Sequence, residues 1–205
     1  MRNYIIYLPD YHNSRQAALV ALESGQKFGW NVELYEGING MLFQDDAVWD
    51  QTGIKICQQD RKTREMMKRP GVRGCFMSHY LLWCHCLATN ETIGIFEHDI
   101  LFTRAPEGFD DFPDLLKLEG FELHKHRPSG QWYEGARAYL LTPSGARKLV
   151  DWVEENGALP ADVTIGDGVL EITLQPGNYV RQQREKKTRK EKHTDSFTWN
   201  LEQQV

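Results

Sequence analysis

Residues 93 to 102 read IGIFEHDILF, an apolar run interrupted by Glu97, His98 and Asp99. Charge inside apolar sequence is costly unless something uses it. Side chains alternate across an extended strand, so Glu97 and Asp99 are expected on one face and His98 on the other. Two same-side carboxylates at the carboxyl end of an apolar strand sit where open α/β sheets bind ligands. Such hard oxygen donors favour Mg²⁺ or Mn²⁺, usually with substrate phosphates completing the shell. A pair of solvated turn carboxylates, or a helix cap, would give the same spacing, and spacing alone leaves these readings open.

Other reactive side chains have plainer readings. Ser78 and His79 fall on a strongly apolar stretch, where a lone histidine is more often a satisfied core residue than a ligand. In WCHC, successive helical residues point about 100° apart, so Cys84, His85 and Cys86 do not easily close on one ion. The four cysteines lack the spacing of a disulfide scaffold or zinc ribbon and are expected as free thiols.

The elements that must position these residues follow from pattern. YIIYLP, residues 4 to 9, is expected as a first buried strand, followed by a helix over RQAALVALESG capped by Asn13 or Ser14 and stopped by Gly25 or Gly29. NVELYEGING then gives strand and loop, and a β, α, β opening implies a parallel sheet with helices packed on it. Residues 44 to 70 are polar and weakly periodic, predicting loop and short helix. From Gly74 onward, Cys75, His79, Leu82 and Cys86 recur at i, i+4, i+7 and i+11, the stripe of a mostly buried helix leading into a central strand at Ile93 to Phe96. Residues 104 to 119 hold two prolines and five acids against two bases and are expected as a surface loop. ARAYLLT forms the next strand, and Thr142, Pro143 and Gly157 supply cap, first-turn proline and stop for a helix whose inward stripe is Ala146, Leu149, Val150 and Val153.

Length and composition set the bounds. A chain of 205 residues fits one domain, expected over residues 1 to 180 with a basic tail over 181 to 205. Residues 181 to 193 carry seven Lys or Arg against two Glu, although the whole chain has a net charge of −5. Charge runs of this kind are usually solvated, and phosphate, nucleic-acid or anionic-membrane contacts are the alternatives. No apolar run approaches the roughly 18 residues of a membrane span, and MRNYIIYLPDYHN reaches Pro9 and Asp10 too soon for a secretory signal, so a cytoplasmic location is expected.

Residues 69 to 102, RPGVRGCFMSHYLLWCHCLATNETIGIFEHDILF, resemble the central block of the family 25 glycosyltransferases, which includes lipooligosaccharide sugar transferases and collagen galactosyltransferases. Pro70, Gly71, Gly74, Cys75, Ser78, His79, Trp83, Glu97 and Asp99 match its pattern. NYIIYLPDYHNSR with Arg15, VELYEGING with Gly40, and LPADVTI with Asp162 resemble flanking segments more loosely. GARAYLLTPSGARKLVDW is closely similar to a later block, at Gly135, Tyr139, Gly145, Ala146 and Leu149. The departures are Val72-Arg73 in place of Glu-Ile, and His98 in place of an aspartate at the spacer.

The resemblance implies a GT-A fold, a Rossmann-like α/β domain with a mostly parallel central sheet flanked by helices. It implies a nucleoside-diphosphate sugar donor, a divalent ion (Mn²⁺ or Mg²⁺) held by an Asp-x-Asp-type motif, and inversion at the sugar. Asp99 is the expected metal ligand, with Glu97 supporting the ion or holding the donor ribose. Arg15 and Arg73 are expected donor contacts, because a guanidinium suits a diphosphate. Inversion needs a base for the acceptor hydroxyl, and Asp162, then Asp167, in the Gly-flanked loop ADVTIGDG are the expected choices. His98 is expected to pack beneath the site, and His193 is a candidate C-terminal ligand. The function implied is sugar transfer to a glycan or lipid-linked saccharide. Two other readings are glycosylation of a hydroxylated nucleic-acid base guided by the basic tail, and a non-catalytic nucleotide-sugar-binding protein.

Overall fold

The computed structural model describes residues 1–59, 61–109, 111–119, 135–166, 168–175 and 177–183. The chain opens with β1 (Arg2–Tyr7), α1 (His12–Lys27) and β2 (Val32–Glu36), then a single 3₁₀ turn at Gly40–Phe43. Two short helices, α2 (Asp46–Asp50) and α3 (Arg61–Met67), occupy the polar stretch expected to be loop and short helix. The long α4 (Pro70–Thr89) leads into β3 (Ile93–Glu97), followed by β4 (Ile100–Phe102), β5 (Leu115–Lys117) and β6 (Ala138–Leu141). The remaining elements are α5 (Pro143–Asn156), α6 (Ala161–Thr164), β7 (Ile172–Leu174) and β8 (Val180–Gln182).

Six strands form one sheet in the order β2-β1-β3-β6-β5-β7, and β4 pairs with β8 in a separate antiparallel ribbon. Pairings β1·β2, β1·β3 and β5·β7 are parallel, whereas β6 runs against both of its neighbours. The α/β domain with a mostly parallel sheet flanked by helices, expected from the sequence, is therefore the one found. Strand alternation sorts the core onto two faces. Tyr4, Ile93, Ile95, Leu115, Tyr139 and Leu141 pack with α4 and α5, while Ile5, Phe96, Leu116, Ala138 and Leu140 pack with α1 and the β4·β8 ribbon.

Local chemistry explains most boundaries. On α5, the Thr142 hydroxyl accepts from the Gly145 N–H, Pro143 opens the first turn and Gly157 caps the end at φ +89°, and Ala146, Leu149, Val150 and Val153 are all buried. On α1 the expected caps do not serve. The N-cap is Tyr11, and Ser14 is buried with its hydroxyl accepting from the Leu8 N–H at 2.9 Å, which fastens the β1–α1 turn. Gly25 lies inside α1, where a Cβ would come within 2.8 Å of Val32, and the left-handed residue after the helix is Gly29.

The surface loop expected over 104 to 119 is corrected by β5, all three of whose residues are buried. Three residues between polar flanks are too short to show a period, and an inner strand is covered on both faces. Strands β7 and β8 and helix α6 were likewise not foreseen. Arg181 and Gln182, from the start of the basic run, form part of β8, and residues 184 to 205, including His193, lie outside the described residues. Among the described residues, no helix is long and apolar enough to cross a membrane.

Candidate functional site

Strand β3 lies third in the sheet, with its carboxyl end beside that of β1, Ile6 pairing with Glu97. Here the alternation expected through Glu97, His98 and Asp99 meets a correction. The strand stops at Glu97, and His98 and Asp99 form the turn into β4, so Asp99 enters the site through turn geometry rather than strand periodicity. The turn is tightly held. The Gln183 N–H donates to the Asp99 carbonyl at 2.6 Å, and its side-chain amide donates to the carbonyls of Ala17, His98 and Ile100. Gln183 thus locks the turn against α1. The Glu97 and Asp99 charges interact, and Asp99 Oδ2 accepts from Gln182 Nε2 at 2.7 Å.

Antiparallel β6 delivers the next residue. The Glu97 N–H donates to the Arg137 carbonyl at 2.8 Å, one step beyond the Phe96–Ala138 pair. On the other side of β6, Lys117 pairs with Tyr139, and the Glu119 carboxylate accepts from Arg137 Nε at 2.8 Å. Lys117 is wholly buried, its Nζ donating to the carbonyl of Gly135. Burial brings its ammonium down to about 8, against the opposing pull of Glu119, Asp162 and Glu97. One end of the sheet therefore gathers Glu97, Asp99, Lys117, Glu119 and Arg137.

Helix α4 supplies the floor. Cys75 Sγ, His79 and a Glu97 oxygen lie within 4.8 Å of one another. Trp83 Nε1, which can only donate, donates to the Tyr139 hydroxyl at 2.9 Å, and Tyr139 lies 2.8 Å from His79 Nδ1. All three groups are satisfied when Tyr139 donates to Nδ1, which leaves the imidazole proton on Nε2, 3.9 Å from Glu97 Oε1. In this form His79 carries its proton on the nitrogen nearer Glu97, at a separation longer than a hydrogen bond. Burial, then the Lys117 charge, drives its pKa down to about 3, so it is neutral. Burial, then Glu97 and Asp162, raises the Cys75 thiol well above its ordinary range.

The expected site residues divide. Glu97 and Asp99 meet in this cluster, and Asp162, in the first turn of α6, bears electrostatically on Cys75, Glu97 and Lys117. Arg15 is exposed on α1, the helix that Gln183 ties to the Glu97–Asp99 turn. Arg73 is engaged elsewhere. It is 2% exposed, donates to the carbonyls of Met67 and Phe43, pairs with Asp46 at 2.6 Å and stacks over Trp49. Those partners engage all three of its guanidinium nitrogens, so it is left out of the proposed site. Asp167 lies outside the described residues. Lys117, Glu119, Arg137 and Gln182 were missed, although Lys117 and Glu119 share the i, i+2 spacing of Glu97 and Asp99. Recognising LLKLE as a strand was the missing step.

Glu97 and Asp99 supply hard oxygen donors of the kind a divalent cation takes, and among the described residues the three donor atoms that lie within 4.8 Å of one another are those of Cys75, His79 and Glu97. Asp99 Oδ1 is buried and has no hydrogen-bond partner among the described residues, a costly state that a cation would relieve. A cavity of about 660 Å³ lies elsewhere, lined by Arg61, Lys62, Glu65, Met66 and Arg69 on and after α3.

The family model described as glycosyltransferase family 25 (LPS biosynthesis protein) matches residues 1–133. The chain belongs to glycosyltransferase family 25. Among curated relatives, a glycosyltransferase 25 family member of Aedes aegypti is 26% identical over 163 residues, covering 66% of this chain and 26% of the relative. A second, from Anopheles gambiae, is 23% identical over 181 residues, covering 77% of this chain and 30% of the relative. The family 25 chain described here thus spans between a quarter and a third of the length of these relatives. Solved structures overlap it more loosely. The galactosyltransferase LgtC in complex with donor and acceptor sugar analogs aligns at a TM-score of 0.48 with 10% identity, over 85% of this chain and 73% of that one. The CTP:phosphocholine cytidylyltransferase LicC from Streptococcus pneumoniae aligns at 0.45 with 12% identity, over 88% and 92%. Overlaps this partial carry no weight beside the family match.

Proposed function

We propose that this family 25 domain is a GT-A type glycosyltransferase that moves a sugar, with inversion, from a nucleoside-diphosphate donor to a hydroxyl of a glycan or lipid-linked saccharide. The observation that carries the reading is the pair Glu97 and Asp99 at the carboxyl end of β3, with Asp99 Oδ1 buried and unpartnered among the described residues. These carboxylates hold a divalent ion, Mn²⁺ or Mg²⁺, which supplies charge neutralisation to the departing diphosphate. His79, neutral and fixed by Tyr139, stands beneath Glu97 as part of the floor of the site. Arg15, exposed on α1, contacts the donor's diphosphate or nucleotide.

Asp162 acts as the base, with Asp167 the second choice. As the acceptor oxygen bonds to the anomeric carbon, the bond from that carbon to the diphosphate oxygen breaks, its electron pair leaves with the diphosphate, and Asp162 takes the hydroxyl proton. No observation favours the nucleic-acid or the non-catalytic reading, and neither is carried further. The test is donor hydrolysis by the full chain across a panel of nucleoside-diphosphate sugars with Mn²⁺. We expect slow hydrolysis of one donor, lost in Asp99→Asn. Unchanged hydrolysis in that variant would remove Asp99 from the site.

A further inference from the structure

Helix α4 and strand β3 bring donors of three different kinds to one place. Cys75 and His79 stand four residues apart on α4 and share a face, and that face meets Glu97 at the end of β3. Cys75 Sγ, a His79 ring nitrogen and a Glu97 oxygen all lie within 4.8 Å of one another, the one such group of three among the described residues. The 3.9 Å between His79 Nε2 and Glu97 Oε1 is too long for a hydrogen bond. It is close to the separation of about 3.5 Å between two ligands of a tetrahedral ion whose bonds run about 2.0–2.3 Å. His79 is buried, whereas Cys75 and Glu97 are each partly exposed, so an ion can enter and solvent can fill a fourth position.

We infer that Cys75, His79 and Glu97 form a site for a thiophilic divalent ion of the Zn²⁺ class, and that this ion excludes the Mn²⁺ or Mg²⁺ proposed at Glu97 and Asp99 by taking the Glu97 carboxylate. Thiolate, imidazole and carboxylate are a zinc donor set, whereas Mn²⁺ and Mg²⁺ take oxygen. The surrounding hydrogen bonds suit it. Nε2 coordinates only without its proton, and the neutral ring can carry that proton on Nδ1 instead, 2.8 Å from the Tyr139 hydroxyl. The two lone pairs of that hydroxyl then accept from Nδ1 and from Trp83 Nε1, which lies 2.9 Å away. This exchange costs the Tyr139 O–H its acceptor, which the metal–ligand bonds outweigh. At Cys75 the S–H bond breaks, its electron pair bonds the ion and the proton passes to the buffer.

The site itself stands apart from the function proposed above, and only the exclusion rests on that reading. Co²⁺, a coloured substitute for Zn²⁺, is titrated into the reduced full chain, and absorbance is followed for wild type, Cys75→Ser and Cys84→Ser, with folding checked by circular dichroism. Wild type and Cys84→Ser should show a thiolate-to-cobalt charge-transfer band that added Zn²⁺ removes, and Cys75→Ser should lose it. Absence of the band in wild type, or its survival in Cys75→Ser, overturns the site. In parallel, Zn²⁺ is added to wild-type donor hydrolysis in Mn²⁺ and should inhibit it. Hydrolysis indifferent to Zn²⁺ in a chain that shows the band overturns the exclusion. Hydrolysis without any band overturns the inference and leaves the proposed function standing, whereas a band with no hydrolysis of any donor keeps the site and counts against that function.

Discussion

Burial first, then the Asp99 charge, raises the Glu97 carboxyl from the usual value near 4.5 to about 8. The folded chain thus binds this proton more tightly than the unfolded chain, and the group's contribution to stability is lost as pH rises through that window. His79 acts in the opposite sense, because its value is lowered to about 3 and folded stability falls as pH drops below its ordinary 6.5. Above that value only the Glu97 effect of the two remains. With EDTA present, Glu97→Gln should therefore melt above wild type at pH 8, by about 2–4 °C for each 1 kcal/mol relieved, and the gain should shrink toward pH 5. Differential scanning calorimetry reads this directly, and a variant that melts lower at pH 8 would show that Glu97 is held by partners instead of crowded by them. At this scale the sequence was informative where charge broke an apolar run, as at Glu97 and Asp99. It was silent on Glu119 and Arg137, whose meaning comes only from each other.

Helix α4 shows what elements add. Its apolar stripe was legible, but the helix begins at Pro70, before the stripe does, and its first turns are fixed by backbone contact. A Cβ on Gly74 would lie 2.6 Å from both Cα and N of Gly40, and one on Gly40 would lie 2.1 Å from the Pro70 carbonyl oxygen. Gly74→Ala must therefore push α4 off the loop after β2, costing about 1–3 kcal/mol in denaturant unfolding. Gly168→Ala, whose Cβ meets nothing within 4 Å, should be neutral, and equal effects would contradict this close approach. Arg73 belongs to the same junction, tying α4 to α2 and the 3₁₀ turn. Arg73→Met should lower stability by about 1–3 kcal/mol yet leave donor affinity intact. A loss of donor affinity at unchanged stability would restore a diphosphate role. Caps and prolines made α5 legible from local chemistry, whereas β5 and the turn after Glu97 depend on neighbours distant in sequence.

At the scale of the whole molecule, the β, α, β opening was enough to anticipate an α/β domain with a mostly parallel sheet, and the acidic end of the central strand is where a ligand site is proposed. What stayed hidden was the antiparallel insertion of β6. That strand joins two groups of parallel strands and carries Arg137 between Glu97 and Glu119. Such long-range pairing leaves no local periodicity to read. The whole arrangement turns on whether the end of β3 couples a divalent ion to a nucleotide-sugar. Isothermal titration of nucleoside-diphosphate sugars into the full chain, with Mn²⁺ and with EDTA, measures that coupling. One donor should bind wild type in Mn²⁺, lose its heat in EDTA, and show none with Asp99→Asn in either condition. Equal affinity in Mn²⁺ and EDTA, or in wild type and Asp99→Asn, would contradict it.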